Sequence, residues 1–220
     1  TWDVEATFGG YLFPNKRVSR ERLMREATIP GFQVLSVAEI PDVGKTPVHF
    51  SLRYARAKPS APVLEDKAYN LRSRIDGILE YKAVQQVDYD AGANPNRASI
   101  RLLPGRTRNA ERIELFYNSR EADALSDSVF VCSEHLRQVT FGVAQANDGG
   151  LRQVAGDYGH YTTFRNRGNG RVSANVLTVA YLEPMQQDAL FFEAVDQPVV
   201  VYAHDLELTS TTNGYPATGV

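Results

Sequence analysis

Alternation of apolar and polar residues with a period of two most constrains what this chain can fold into. Apolar side chains stand at Trp2, Val4, Ala6 and Phe8, with polar residues between them. Because successive side chains of a strand point to opposite faces, this pattern predicts a half-buried strand. The same test, with β-branched and aromatic content, predicts strands at residues 32–40, 48–57, 82–89, 98–103, 110–117, 128–143, 159–164, 171–182 and 199–208.

Turn-forming residues separate these strands. Between them stand Pro41, Pro47, Pro59, Pro62, Pro95, Pro104 and Gly105, and the first strand is expected to end at Gly9 and Gly10. The tripeptide Gly168, Asn169 and Gly170 predicts a hairpin turn. This spacing of strands and turns favours a meander.

Helical spacing occurs in one segment. Its apolar residues are Ala68, Leu71, Ile75, Ile78 and Leu79, after the acidic pair Glu65 and Asp66. The pattern predicts a short helix packed on or across the sheet, since acidic residues suit a helix N-terminus. A loop with a helical turn is predicted at residues 15–26, and one helical turn at 184–194.

The fold class predicted from these elements is mainly β. About nine or ten antiparallel strands with one or two short helices most economically lose their exposed edges by closing into a single barrel, and a β-sandwich is the alternative. We expect one domain at residues 1–208 and an extended C-terminal tail at 209–220.

Composition argues against several classes of function. The net charge of −2 lacks the basic excess of a domain that binds nucleic acid. The longest apolar runs fall far short of the roughly 20 residues that a spanning helix needs. One cysteine, Cys132, cannot form an intramolecular disulfide. The chain starts at Thr1 on a strand-like pattern, from which we expect that a leader was removed or that the numbering starts where order starts.

Motifs for catalysis and metal binding are absent from the sequence. Gly44, Lys45 and Thr46 resemble the end of a phosphate-binding loop, but Glu39 stands where its first glycine belongs. The histidines, His49, His135, His160 and His204, lack the spacing of a metal site. No serine lies in a nucleophile elbow. The sequence therefore predicts no enzyme, no catalytic residue, no metal and no cofactor.

Two features rise above this background. The first is a run of five arginines in a region that has no acidic residue from position 91 to 110; they are Arg97, Arg101, Arg106, Arg108 and Arg112. On a hairpin they would form a positive docking patch or a solvated tip that prevents aggregation. The second is an aromatic content of 10%, which would fill the core or line a cavity for an apolar ligand.

The opening residues resemble the first strand of lipocalin-like proteins, whose tryptophan plugs the closed end of the barrel. Trp2 takes this position here, although the glycine that usually precedes it would fall before Thr1. Along most of its length the chain resembles a family of lipocalin-like, thylakoid-associated proteins of cyanobacteria and plastids. The residues that carry this resemblance are Leu64–Asn70, Tyr161–Phe164, Gln197–Tyr202, Leu206 and Leu208.

The resemblance implies a leader-bearing precursor delivered to the thylakoid, with the lumenal face as one alternative. It leads to the hypothesis of a non-catalytic, extrinsic accessory subunit of a photosystem, peripheral to the membrane and able to contact chlorophyll or another pigment. The competing hypothesis is a carrier or lyase-like barrel that binds a tetrapyrrole, a carotenoid or a lipid. An open interior would favour the carrier, and a filled interior would favour the subunit.

Overall fold

The computed structural model describes residues 1–26, 35, 37–40, 43, 47–56, 63–107, 110–142, 152–184 and 188–211. These residues form a mainly β structure. Its strands are β1 (Trp2–Leu12), β2 (Val48–Leu52), β3 (Tyr54–Ala55), β4 (Leu64–Glu65), β5 (Val84–Asp90), β6 (Asn94–Leu102), β7 (Arg112–Ser126), β8 (Val129–Gly142), β9 (Arg152–Gly168), β10 (Arg171–Ala180) and β11 (Val200–Ser210). Its helices are α1 (Arg20–Glu26), α2 (Lys67–Leu79) and α3 (Asp188–Ala194).

Nine strands form one antiparallel sheet in the order β2-β1-β11-β10-β9-β8-β7-β6-β5, and β3 pairs separately with β4. From β5 to β11 each strand pairs with the next in the chain, so the predicted meander is confirmed for this part. Strand β1 then pairs with both β11 and β2. The mainly β, antiparallel class is therefore as the alternation predicted.

Several strand boundaries were predicted wrongly. Strand β1 does not end at Gly9 and Gly10 but continues to Leu12, with a register shift against β11 between Phe8 and Gly10. Gly10 has φ 131°, a value that glycine adopts without steric cost, so a bulge takes up the irregularity and pairing continues. Strand β7 extends to Ser126, because its exposed second half pairs with β8 although it lacks an apolar pattern.

The predicted strand at 32–40 is also wrong where the structure describes it. Residues 35 and 37–40 lie outside any strand, and all of them are buried, so their side chains do not alternate between core and solvent. The rest of that interval, like the sequence 44–46, falls outside the described residues. The predicted tail begins too early, because Thr209 and Ser210 pair within β11; residues 212–220 are not described.

The sheet is strongly curled around α2. This helix contacts both edge strands, β2 and β5. A flat sheet of nine strands would hold its edges about 38 Å apart at about 4.8 Å per strand, whereas a helix is only about 10 Å across. The two edges therefore approach the same helix. Within the described residues they do not pair with each other, and α2 lies between them.

Polar side chains of α2 satisfy the backbone of both edges. On the β2 side, the Ser51 amide donates to Ser73 Oγ at 2.9 Å, and the Arg53 amide donates to Asn70 Oδ1 at 2.6 Å. On the β5 side, Asp76 Oδ1 accepts from the amide of Val84 at 2.9 Å. Because unpaired edge amides favour association with other chains, these bonds protect the sheet as well as positioning the helix.

Two apolar clusters fill the inner face of the curled sheet. The first contains Leu71 and Ile75 of α2 together with residues of α1, α3 and strands β5 to β11. The second lies where β1, β2, β10 and β11 meet and includes Val4, Phe50 and Leu208. Burial of these side chains supplies the main favourable term in folding.

The hairpin between β9 and β10 has the turn that the sequence predicted. Asn169 and Gly170 both have positive φ, 51° and 69°, as a two-residue turn between twisted strands requires.

We expect Gly170→Ala to lower the free energy of unfolding by about 1 kcal/mol, because a side chain disfavours that backbone conformation. Asn169→Gly should be nearly neutral. Urea unfolding measures the stability of both variants. Equal stability of Gly170→Ala and wild type would contradict the conclusion that the turn needs glycine at this position.

Candidate functional site

A row of polar side chains crosses the inner face of the sheet between the two apolar clusters. Arg120 on β7 pairs with Glu134 on β8, and Glu134 pairs with His160 on β9. His160 pairs in turn with Thr178 on β10. Leu136, two residues beyond Glu134, belongs to the first apolar cluster, so alternation places this row inside.

Helix α2 places two cations opposite that row. Lys67 and Arg74 are seven residues apart, so they share one face of the helix. Lys67 Nζ lies 2.8 Å from Glu134 Oε2, 3.3 Å from Glu39 Oε1 and 3.5 Å from Glu65 Oε2. Arg74 Nη1 lies 3.5 Å from Glu39 Oε1. We call this set the polar belt; it comprises Glu39, Glu65, Lys67, Arg74, Arg120, Glu134, His160 and Thr178.

The segment that carries Glu39 is anchored by side chains of β8 and β9. Gln138 Oε1 accepts from the Ala38 amide at 2.8 Å, and Gln138 Nε2 donates to the Leu35 carbonyl at 3.1 Å. The Tyr158 hydroxyl donates to the same Gln138 oxygen at 3.0 Å. These bonds hold Glu39 against the belt although its segment has no regular secondary structure.

The surroundings of Glu39 favour its ionised form. Burial by itself would raise the pKa of Glu39, but the positive charge of Lys67 opposes burial, as do the hydrogen bond from His160 and the charge of Arg74. Together they hold the pKa of this carboxyl well below its usual 4.5.

Acid should therefore weaken the fold through Glu39. A depressed folded-state pKa stabilises the protein above the unfolded value of 4.5, and the contribution is lost as the pH falls through the folded value. We expect the free energy of unfolding in urea to fall from pH 5 towards pH 3, and to fall less steeply in Glu39→Gln. Glu111→Gln, at an exposed carboxylate with no ion pair to a described residue, is the control. Identical slopes of unfolding free energy against pH in all three proteins would contradict a lowered pKa at Glu39.

The charges of the polar belt balance. Three carboxylates, Glu39, Glu65 and Glu134, face three cations, Lys67, Arg74 and Arg120. His160 adds a ring whose Nδ1 lies 2.8 Å from Thr178 Oγ1 and whose Nε2 lies 3.2 Å from Glu39 Oε2. Across the described ranges, no three acidic, histidine or cysteine side chains are arranged to hold a metal ion. The belt therefore acts as a charged cross-link between α2 and the opposite strands.

Tyr117 borders the polar belt through its ring. The Arg120 guanidinium carbon lies 3.7 Å from the ring centre and Lys67 Nζ lies 4.8 Å from it, both within cation–π range. The buried hydroxyl has no hydrogen-bond partner among the described residues. Burial raises the pKa of Tyr117 above its usual value, so the phenol stays neutral.

The structure places three of the five predicted docking arginines on one outer face. Arg97 and Arg112 lie on either side of Glu114, with Nε to carboxylate distances of 3.0 and 3.3 Å. Arg101 Nη2 lies 3.3 Å from Asp88 Oδ2. Asp88 and Glu114 lie just outside the acid-free segment, and strand pairing brings them against the arginines. The three arginines therefore lie together, and two carboxylates offset most of their positive charge.

The other predicted site residues lie elsewhere. Arg106 follows β6, with its guanidinium carbon 5.9 Å from the Tyr81 ring centre, and Arg108 falls outside the described residues. Trp2 is half-buried at the start of β1 and packs against the second apolar cluster. Cys132 is half-buried on β8, and burial raises the pKa of its thiol to about 11, so the thiol is protonated at neutral pH.

Apolar side chains occupy the centre of the outer face between β1 and β9. In one cross-strand row Leu12 pairs with Val201, and Val201 with Val179. In the next, Ala203 pairs with Leu177, and Leu177 with Tyr161. Leu12 is 70% exposed, Tyr161 39% and Leu177 38%. We call these six residues the outer apolar strip: Leu12, Tyr161, Leu177, Val179, Val201 and Ala203.

Tyr161 of the outer apolar strip packs closely against His135 and Gly159. Tyr161 Oη lies 2.8 Å from His135 Nε2, and the two rings meet edge to face at 5.3 Å. Both rings lie over Gly159, where an added Cβ would stand 3.1 Å from the His135 ring. The glycine therefore leaves room for both aromatic rings close to the sheet backbone.

Sequence reasoning missed the polar belt. Its signal was present in Arg120, Glu134 and His160, which are polar residues at positions whose alternation points inward. Charged residues at core positions are rare unless they are paired, and they therefore identify a buried network. Recognising the network also required the strand register and Glu39, which comes from a segment that lies outside any strand.

These features define a mainly β protein in which a helix lies between the edges of a curled antiparallel sheet over a charge-balanced interior. The chain belongs to the family described as Domain of unknown function (DUF6816), whose model matches residues 4–212. No curated protein and no solved structure gives a significant match to the chain. None of the described helices is long and apolar enough to cross a membrane.

Proposed function

We propose that this protein is a non-catalytic accessory subunit that docks on a photosynthetic complex, a photosystem, at the thylakoid membrane of a plastid or cyanobacterium. The proposal treats the curled sheet as a lipocalin-like barrel, with Trp2 at its closed end. The resemblance described above supports the compartment, and the outer apolar strip supports the docking.

The outer apolar strip is the observation that carries the proposal. Scattered apolar residues are ordinary on a protein surface, but contiguous ones in adjacent cross-strand rows mark contact surfaces. Leu12, Leu177 and Tyr161 expose a large part of their side chains on strands that are otherwise well paired. A partner that covers them would remove this apolar area from water.

The filled interior supports docking over transport of a ligand. The inner face is occupied by two apolar clusters and by the polar belt, whose charged groups contact one another directly. Two depressions, of about 670 Å³ beside β1 and β2 and about 200 Å³ beside α3, are open at the surface. In this proposal the arginine face provides a second contact area, mainly through directional hydrogen bonds, because Glu114 and Asp88 offset most of its charge.

Affinity isolation tests the proposal. The tagged full chain would be recovered from mildly solubilised thylakoid membranes, and the proteins and pigments that accompany it would be identified. We expect a photosystem to accompany the wild type and at least tenfold less of it to accompany Leu12→Gln/Leu177→Gln, which replaces two exposed apolar side chains of the strip with polar ones of similar size.

Leu125→Gln is the matched control, because Leu125 is exposed near the turn between β7 and β8, away from the strip. Unfolding midpoints would establish that all variants are folded. Recovery of the chain alone and colourless would contradict both the subunit and the carrier. Equal recovery by the double variant and wild type would contradict docking through the strip.

A carrier of a pigment or lipid is the second candidate, and one observation favours it. Phe130 and Phe164 are neighbours on the inner face of β8 and β9, with ring centres 6.2 Å apart, and Phe130 is 43% exposed. An apolar ligand could pack on these rings. Stoichiometric pigment or lipid in the purified chain, lost in Phe130→Ser, would support the carrier; its absence would contradict it.

A further inference from the structure

Acidic residues flank the outer apolar strip on both sides. Along β11 the strip residues Val201 and Ala203 are followed on the same face by Asp205 and Glu207. At the other end, Ser133 follows Tyr161 in the cross-strand row and pairs with Glu121. All members of the acidic flank are exposed; they are Asp3, Glu5, Asp205 and Glu207 on β1 and β11, and Glu121 and Asp123 on β7.

The acidic flank lacks counter-ions within the described structure. None of its six carboxylates makes an ion pair with a described residue, whereas Arg97, Arg101 and Arg112, on the same face of β6 and β7, all do. Glu5 stands directly opposite Glu207 in the register of β1 and β11. Like charges in directly opposed positions destabilise a sheet, and a cation from outside would relieve that repulsion.

On this face the arginines that make no ion pair with a described residue lie at one end. Arg165, Arg167 and Arg171 are exposed near the β9 to β10 hairpin, where Arg171 borders the same open depression as Glu207. His49 pairs with Glu5 on the β2 side. Arg137 of this face is paired with Asp157 and Glu183, so three unpaired arginines against six carboxylates leave the surroundings of the strip acidic.

We propose that the outer apolar strip and its acidic flank together bind a protein surface in which an apolar ridge is bordered by lysine or arginine side chains. The proposal rests on the docking function and names the chemistry of the partner. Charge complementarity selects this occupant: an anionic lipid surface would be repelled by the flank. A second copy of the chain, packed strip to strip about a twofold axis, would place acidic flanks against each other.

The affinity isolation can test the charge separately from the apolar contact. The test variant is Glu5→Gln/Asp205→Asn/Glu207→Gln. Its matched control, Glu111→Gln/Asp127→Asn/Asp196→Asn, changes the net charge equally by removing three exposed carboxylates away from the strip. The test variant removes the like-charge pair Glu5 and Glu207, so it should be at least as stable as wild type, and its unfolding midpoint would establish that it is folded.

We expect the test variant to retain at least tenfold less partner, and the control to retain the wild-type amount. Recovery by wild type should also fall as salt is raised, because exposed charges are screened. Full retention by the test variant would overturn this inference and leave the docking function intact. Self-association of the chain that Leu12→Gln/Leu177→Gln abolishes would overturn it too, and recovery of no partner by wild type would overturn both proposals.

Discussion

Lys67→Met is expected to lower the free energy of unfolding by about 3–5 kcal/mol, the usual cost of removing one partner from a buried charge network. Lys67 is 5% exposed, and its ammonium lies within 3.5 Å of carboxylate oxygens of Glu39, Glu65 and Glu134. Without it, three carboxylates face only the two arginines and His160. Urea unfolding at neutral pH measures the loss, since urea does not screen charge.

Two further variants identify the cause of that loss. Lys82→Met removes the same charge at an exposed position and should change the free energy of unfolding by less than about 0.5 kcal/mol. Lys67→Met/Glu39→Gln removes one ion of each sign. Its loss of unfolding free energy should be smaller than the sum of the losses in the two single variants by about 1 kcal/mol or more. A loss below about 1 kcal/mol in Lys67→Met would show that the belt does not hold α2.

Gly77→Ala is expected to destabilise the protein by about 1–3 kcal/mol, although alanine is the better helix former by about 0.5–1 kcal/mol. A Cβ at this position would overlap the carbonyl oxygen of His49 and stand 2.9 Å from Phe50 Cβ. The carbonyl oxygen belongs to the sheet backbone and the Cβ is bonded directly to it, so neither atom can rotate away. Urea unfolding measures the change.

Gly156→Ala provides the control for Gly77→Ala. Its added Cβ would meet no atom within 4 Å, and we expect a change within about 0.5 kcal/mol. Stabilisation by Gly77→Ala would contradict the close packing of α2 on β2, because it would mean that helix propensity alone decides the effect at this position.

The elements that the sequence predicted well are those with a local cause. Alternation from Trp2 to Phe8 located β1, helical spacing from Ala68 to Leu79 located α2, and Asn169 with Gly170 located a hairpin turn. In each case the side chains act within a few residues of one another, so a short window of sequence contains the whole signal.

The elements that were missed have a distant cause. The second half of β7 is polar and exposed, and it is a strand because β8 pairs with it. The segment at 35 and 37–40 alternates in sequence but is buried throughout, anchored by Gln138. A window of sequence cannot contain a partner about 100 residues away.

The candidate sites show the same division. An acid-free segment located the arginines, but Glu114 and Asp88 pair with Arg97 and Arg101 from neighbouring strands and remove most of the net charge. The outer apolar strip is invisible in the sequence, because Leu12, Tyr161 and Leu177 lie in three separate strands. Register alone brings them together.

The sequence by itself determined that the chain forms an antiparallel β structure with one amphipathic helix, because periodicity and turn chemistry are local properties. The tertiary structure decided three further features. It placed α2 between the edges of a curled sheet, paired the arginines of β6 and β7 with Glu114 and Asp88, and paired Lys67 with Glu39 and Glu134 inside the sheet. The physical reason is that strand register and curvature depend on the simultaneous burial of many distant side chains, so interactions between strands appear only when the whole sheet is assembled.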